Sequence, residues 1–393
     1  MGSANADTAE RTSVDLRARI SRPNRAEVDL DAIRDNTRTV REQLGHGMTL
    51  FSAVKSNGYG LGLPAVAEAM LEGGTDGFTL SEPADAASIR RVGIGLPILL
   101  YGGVLPTPET VAEMHRLDLM CTVADVGAAR AYSAANSAAV PLGVFAKIDV
   151  GLERLGVYPE RGTEFIRSIM GLPGIRLAGI YSHIHGSEEA AYRDWQLDRF
   201  ERLLRELEEE GVTIPLRMSE SSASLGLRPS GLTNAADPGH LLYGIAPSGR
   251  AALSPKVRPA FHALKSRLIQ VKDFRRDEFQ AESPVPVGRV RRIGVLPIGR
   301  ADGLQHLTSG QVRVRGQLVP IIGRLSLEHA RVDLTSVPES QAGDEVEIIH
   351  WRPGTEISAA AVAAANQLDQ VGLQVAIGPS IPRVYLSRAT AGS

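Results

Sequence analysis

Residues 51–60 read Phe51-Ser52-Ala53-Val54-Lys55-Ser56-Asn57-Gly58-Tyr59-Gly60. A short apolar strand ends on a lysine and runs directly into a glycine-rich turn. In a barrel of parallel strands such a lysine stands at the C-terminal mouth, where side chains meet ligand instead of bulk water. A desolvated lysine gives up its proton more readily and becomes a nucleophile toward an aldehyde. Tyr59, in the turn that follows, is placed to reach a phosphate. A surface lysine after an edge strand has the same local sequence, because lysine is mostly exposed. The surrounding pattern has to separate the two.

Outward from Lys55, strand and helix patterns alternate. Ala26–Leu30 reads as a strand and Asp31–Leu44 as an amphipathic helix. Beyond the lysine strand, helices are expected over Pro64–Glu72, Pro83–Val92 and Pro108–Leu117, and strands at Gly77–Leu80 and Pro97–Tyr101. Thr107 is the expected N-cap of the third helix, with Pro108 at its first position. Strands are also expected at Leu119–Val123, Leu142–Asp149, Ile175–Ser182 and Leu216–Met218. The 188–210 stretch is the clearest helix, with Trp195, Phe200, Leu203, Leu204 and Leu207 as its apolar residues. About eight strand-then-helix units predict an α/β fold whose N-terminal part is a (β/α)8 TIM-type barrel. A doubly wound open sheet is the rival, disfavoured because the first strand–helix junction is not a G-x-G-x-x-G turn.

Past about Pro255 the pattern changes to short strands separated by turns, among them Leu268–Val271, Ile293–Pro297, Val312–Val314, Leu318–Ile322 and Val346–Ile349, with one helix near Ser358–Gln367. The expected organisation is a disordered arm over 1–24, the barrel over 25–253, and a smaller, mainly β C-terminal domain over 254–393. Apolar residues make up 43% of the chain and charged residues 22%, and the formal net charge is −2. These values give no electrostatic reason to expect nucleic acid or an anionic membrane as partner. The single cysteine, Cys121, excludes an intramolecular disulfide and fits a reducing, cytoplasmic compartment. No apolar run reaches the ~18 residues of a membrane-spanning helix. Neither a secretory leader nor a metal site is expected.

The Lys55 stretch resembles the cofactor-lysine motif of the alanine racemase family, A-V-x-K-A-N-A-Y-G-H-G, here S-A-V-K-S-N-G-Y-G-L-G. Further blocks of that family recur in order from about Glu27 to Tyr385. Lys147-Ile148-Asp149-Val150-Gly151-Leu152-Glu153-Arg154-Leu155-Gly156 is similar to K-x-D-T-G-M-x-R-L-G. The resemblance implies a lysine, Lys55, that carries pyridoxal 5'-phosphate as a Schiff base. It implies an arginine, Arg154, that bonds the cofactor's phenolic oxygen and the substrate carboxylate, and a lysine, Lys147, that orients that arginine and can be carbamylated. It further implies His183 beside the cofactor ring, and Tyr59, Ser222, Gly239 and the amide of His240 around the phosphate. The last three come from Ser221-Ser222-Ala223 and Asp237-Pro238-Gly239-His240. A homodimer with shared active sites and a small amino-acid substrate are implied as well. Taken without the family, Arg154 reads equally as an ion-pair partner of Glu153 or Asp149, His183 as a structural histidine, and the serine and glycine turns as ordinary loop chemistry.

Three departures from the family pattern stand out. Asp237 occupies the position of an arginine that keeps the cofactor's ring nitrogen unprotonated; an aspartate favours the protonated ring and a stronger electron sink. Its bland reading is a turn cap before Pro238. Arg300, in Pro297-Ile298-Gly299-Arg300-Ala301-Asp302-Gly303, occupies the position of the family's second base, a tyrosine. An arginine is a poor base and a good anion clamp, or simply a partner for Asp302. Leu373 stands where a tyrosine is expected to narrow the entrance, and Leu327-Glu328 replace Met-Asp. His306 or His329 is a possible replacement base. His185 is an additional polar group where the family has a small residue.

The reading is an amino-acid racemase or epimerase using pyridoxal 5'-phosphate, with Lys55, Arg154, Arg300 and Asp237 as the catalytic set. A decarboxylase, aldolase or aminotransferase-like enzyme on the same scaffold is the alternative that Asp237 and Arg300 favour. A cofactor-binding protein with little catalysis is the third, weakened by the complete β domain.

Overall fold

The computed structural model describes residues 21–186, 188–227, 231–246, 256–273 and 290–387. These form two compact units, Leu30–Ala260 and a second made of the chain up to Asp29 together with Phe261 onward.

The first unit is a closed barrel of parallel strands: β2 (Thr49–Ala53), β3 (Gly77–Leu80), β4 (Ile98–Leu100), β5 (Leu119–Val123), β6 (Leu142–Lys147), β7 (Ile175–Tyr181), β8 (Leu216–Glu220) and β9 (Ala235–Ala236), with β1 (Arg25–Asp29) lying in the other unit. Closure is direct: β2 pairs with β3 on one side and with β9 on the other. This excludes the doubly wound alternative. Phe51, Leu99, Phe145 and Met218 fill the interior and are almost wholly buried. The two phenylalanines fit because glycines face them. A Cβ on Gly77 would lie 2.6 Å from the Phe51 ring, and one on Gly179 would lie 2.3 Å from the Phe145 ring. Thr107 caps the helix Pro108–Arg116 through the Thr110 amide, as the sequence predicts.

Three expectations need correction. The Ala26–Leu30 strand is not the barrel's first. β1 lies in the second unit, so a barrel over 25–253 and a β domain beginning at 254 become Leu30–Ala260 and Phe261 onward. The strand that takes the vacated place is β9, only two residues long, too short to leave a periodic pattern. The third concerns the arm over 1–24. Residues 1–20 lie outside the described residues, but Arg22 and Asn24 are held in place. Arg22 forms a two-pronged bond to Asp302 (2.6 and 3.0 Å), and Asn24 donates to the Pro297 carbonyl at 2.7 Å.

The second unit carries a six-stranded sheet and a three-stranded one. With β10 (Phe261–Arg267), β11 (Gln270–Asp273), β12 (Arg292–Leu296), β13 (Gln311–Val314), β14 (Gln317–Pro320), β15 (Ala330–Asp333), β16 (Glu345–His350) and β17 (Arg383–Leu386), the orders are β14-β13-β16-β10-β1-β17 and β11-β12-β15. Leu268–Val271, expected as one strand, is instead the point where β10 gives way to β11. Leu373 sits on a short helix, Gln370–Val375, and is fully buried.

Candidate active site

Because the barrel strands are parallel, their C-terminal ends share one rim, and every residue just past a strand end arrives at that rim. Lys55 follows β2, Tyr101 follows β4, Lys147 ends β6, His183 follows β7, Ser222 follows β8 and Asp237 follows β9. They line one cavity of about 500 Å³, together with Tyr59, Arg154, Gly239 and His240. His185 lines the same cavity, its backbone clamped on both sides by the wholly buried Gln196.

Lys55 opens a turn of unusual hand. Ser56, Asn57, Gly58 and Tyr59 all have φ between 53° and 62°, a left-handed turn in which three of the four are not glycine. Such a conformation costs roughly 1–2 kcal/mol per residue for side chains bearing a Cβ. Backbone bonds Gly60 N–H to Ser56 O (2.8 Å) and Gly62 N–H to Asn57 O (3.0 Å) hold it, and the Asn57 side chain accepts from the Leu63 amide at 2.9 Å. The turn carries Tyr59 into a stack on Tyr243, centroids 4.4 Å apart. It also brings the Tyr59 hydroxyl so close to Gly239 that any Cβ there would lie 2.2 Å from it. The Ser222 hydroxyl accepts from the amides of Gly239 (2.9 Å) and Leu241 (3.2 Å). Both its lone pairs are then engaged and its hydrogen is left to donate.

Arg154 is held by its backbone, and its guanidinium is left open. The Asp149 carboxylate, expected as a possible ion-pair partner, accepts instead from the amides of Gly151, Leu152, Glu153 and Arg154. Burial pushes that carboxyl's pKa up, the four amides pull it down, and the amides win. Glu153, the other expected partner, accepts from the Tyr158 hydroxyl. Among the described residues the Arg154 guanidinium has no carboxylate within ion-pair distance, which leaves it for an anion from outside.

Burial lowers the proton affinity of the nitrogens at this rim. Burial lowers the pKa of Lys55, opposed by the charge of Asp237 and reinforced by that of Arg154. Lys147 is nearly buried, its Nζ 4.1 Å over the Tyr181 ring, and burial likewise holds it well below the ordinary lysine range. His183 is pushed down to about 3, by burial first and then by the charges of Lys147, Arg154 and Lys55. Asp237 is displaced upward by burial, in spite of a hydrogen bond from Tyr101 and the nearby lysines. Its Oδ1 is buried with no hydrogen-bond partner among the described residues.

Arg300 lies in the second unit, exposed at the start of a short 3-10 turn. Asp302, its suggested partner, is fully buried and occupied by Arg22, by the Ser380 hydroxyl (2.8 Å) and by the Gly299 amide (3.0 Å). Sequence reasoning did not single out Tyr101. The signal was its place immediately after β4, at the same rim as Lys55.

Comparison with known proteins places these observations. Residues 28–247 match the family model described as alanine racemase, N-terminal domain, and residues 261–385 that described as alanine racemase, C-terminal domain. The alanine racemase of Halothermothrix orenii is 30% identical over 382 residues, covering 95% of this chain and 99% of the relative. That of Desulforamulus reducens is 32% identical, covering 92% and 98%. Among solved structures, the alanine racemase from E. faecalis superposes with a TM-score of 0.82 at 29% identity, covering 93% and 98%. With both domain models matched in order across nearly its whole length, the chain belongs to the alanine racemase family.

Proposed function

We propose that this protein is a pyridoxal 5'-phosphate-dependent enzyme that acts at the α-carbon of an amino acid, with racemisation or epimerisation as the primary reading. The observation that carries it is the convergence of a largely buried lysine, an open guanidinium, a hydroxyl with a free hydrogen and a carboxylate with one unpartnered oxygen on one cavity. The residues fit the cofactor. The close approach of Tyr59 to Gly239 beside Ser222 suits a phosphate, and Asp237, with its unpartnered oxygen, suits a ring N–H donor. Pyridoxal 5'-phosphate, when bound, supplies the electron sink for the charge left at the α-carbon. Lys55, whose charged form is disfavoured by burial, is the attachment point and the base at its Nζ. Arg154 clamps a carboxylate. His183, held neutral by burial, adds no positive charge beside the ring. The racemase names of the relatives support this reading, and a homodimer and a cytoplasmic setting are part of the proposal.

Asp237 gives specific support to a second reading. Where the family has arginine, this carboxylate favours a protonated ring and hence decarboxylation, retro-aldol cleavage or transamination. Borohydride reduction of protein mixed with pyridoxal 5'-phosphate, followed by peptide mass mapping, should place the label on Lys55 and find none in Lys55→Ala. Label retained in that variant refutes the attachment. Proton NMR in D2O with a panel of amino acids separates the reactions. Loss of the α-proton signal with both enantiomers recovered supports racemisation, and an amine, aldehyde or keto acid supports the second reading.

A further inference from the structure

Tyr101 has no role in the reading above, yet it is the only described side chain that hydrogen-bonds the Asp237 carboxylate. Its hydroxyl oxygen lies 2.7 Å from Asp237 Oδ2 and 2.8 Å from Thr79 Oγ1. A phenol has one hydrogen. Both oxygens are acceptors within its reach, and the carboxylate is the stronger of the two, so that hydrogen goes to Asp237. Burial, and then the charge of Asp237, raise the Tyr101 pKa and keep the phenol protonated. The bond joins the end of β4 to the end of β9, strands separated around the barrel by β2 and β3, so it reaches across the mouth. The Tyr101 ring also lies 5.6 Å from Lys55 Nζ, and Thr79 is fully buried.

We propose that Tyr101 is a positioning residue that fixes Asp237 and holds it as the anion facing the cofactor's ring nitrogen. This inference rests on the function proposed above. A carboxylate has about four acceptor positions. Here one is filled by Tyr101, and Oδ1 has none filled. The filled position sets the direction of the carboxylate and lowers its affinity for a proton. The charged groups around it are Lys55 and Lys147, which act in the same sense. Without the phenol hydrogen, Asp237 competes more strongly for the proton shared with a ring nitrogen. The electron sink is then weakened.

The test is the 15N chemical shift of ring-labelled pyridoxal 5'-phosphate bound to wild type, Tyr101→Phe and Asp237→Asn. Wild type should show a protonated ring at neutral pH. Tyr101→Phe should move the proton distribution about tenfold toward the unprotonated ring, the equivalent of about one charged hydrogen bond. Asp237→Asn should abolish protonation. If Asp237→Asn moves the shift and Tyr101→Phe does not, the role of Tyr101 is overturned while the reading of Asp237 stands. If wild type and Asp237→Asn agree, Asp237 is not at the ring nitrogen, and both fail. Where a variant does not take the cofactor, the 13C titration of the Asp237 carboxyl in the apoprotein replaces it. Tyr101→Phe should raise that midpoint, and an unchanged midpoint overturns the proposal.

Discussion

At the scale of single residues, the site is governed by burial of ionisable groups at the rim of the barrel. His183 shows this most plainly, since it titrates near 3 in the folded chain against 6.5 for a free histidine. Between those values the unfolded chain binds a proton that the folded chain does not, so stability falls as pH drops through the window. The steepest slope one group can contribute is about 1.4 kcal/mol per pH unit. Urea unfolding of the apoprotein from pH 7 to pH 4 should therefore show a smaller loss of stability in His183→Asn than in wild type. Parallel profiles for the two would refute the assignment of the shift to this ring.

At the scale of elements, the left-handed turn after β2 is the feature that local propensity opposes. Glycine takes this conformation without penalty, but Ser56 and Tyr59 do not. The Asn57 side chain compensates by accepting from Leu63, and Tyr59 gains its stack on Tyr243. Ser56 is exposed and its side chain makes no described bond. Ser56→Gly should accordingly stabilise the protein by about 0.5–1 kcal/mol in urea unfolding. A destabilised variant would mean that the turn is not left-handed at this position. The helix Ala190–Glu209 shows how far pattern carries. Phe200, Leu203, Leu204 and Leu207 are buried as their spacing implies, but Trp195 is 47% exposed. Trp195 instead stacks on Tyr192, with the Arg199 guanidinium 4.7 Å from its ring.

At the scale of the whole molecule, the chain order and the folding units do not coincide. The β unit is discontinuous, and β1 lies inside its larger sheet, between antiparallel β10 and parallel β17. The preceding residues contribute Arg22 to the buried Asp302 carboxylate and β1 to the middle of the larger sheet. Residues 261–387 expressed alone should thus give no cooperative thermal transition by circular dichroism. The same segment joined by a flexible linker to 21–29 should regain one. A cooperative transition in the shorter chain would refute the dependence on β1.

What the sequence by itself determined is what local periodicity and motif can encode. The alternation of strand and helix patterns specified a parallel barrel, the strand that ends on Lys55 specified its mouth, and His183 and Ser222 lay past strand ends that the pattern had already marked, whereas the strand before Asp237 left no pattern to read. The tertiary structure alone decided the rest. β1 belongs with β10 and β17 because its partners lie more than two hundred residues away (Ala26 opposite Leu264 and Arg383), beyond any window of periodicity. The bond from Tyr101 to Asp237 spans 136 residues and exists only because closing the barrel brings the ends of β4 and β9 across a common rim. The hand of the turn after Lys55 is set by stacking and hydrogen bonds that outweigh the preferences of its own residues. Side-chain direction at a rim is a property of the closed ring of strands, and no single strand carries it.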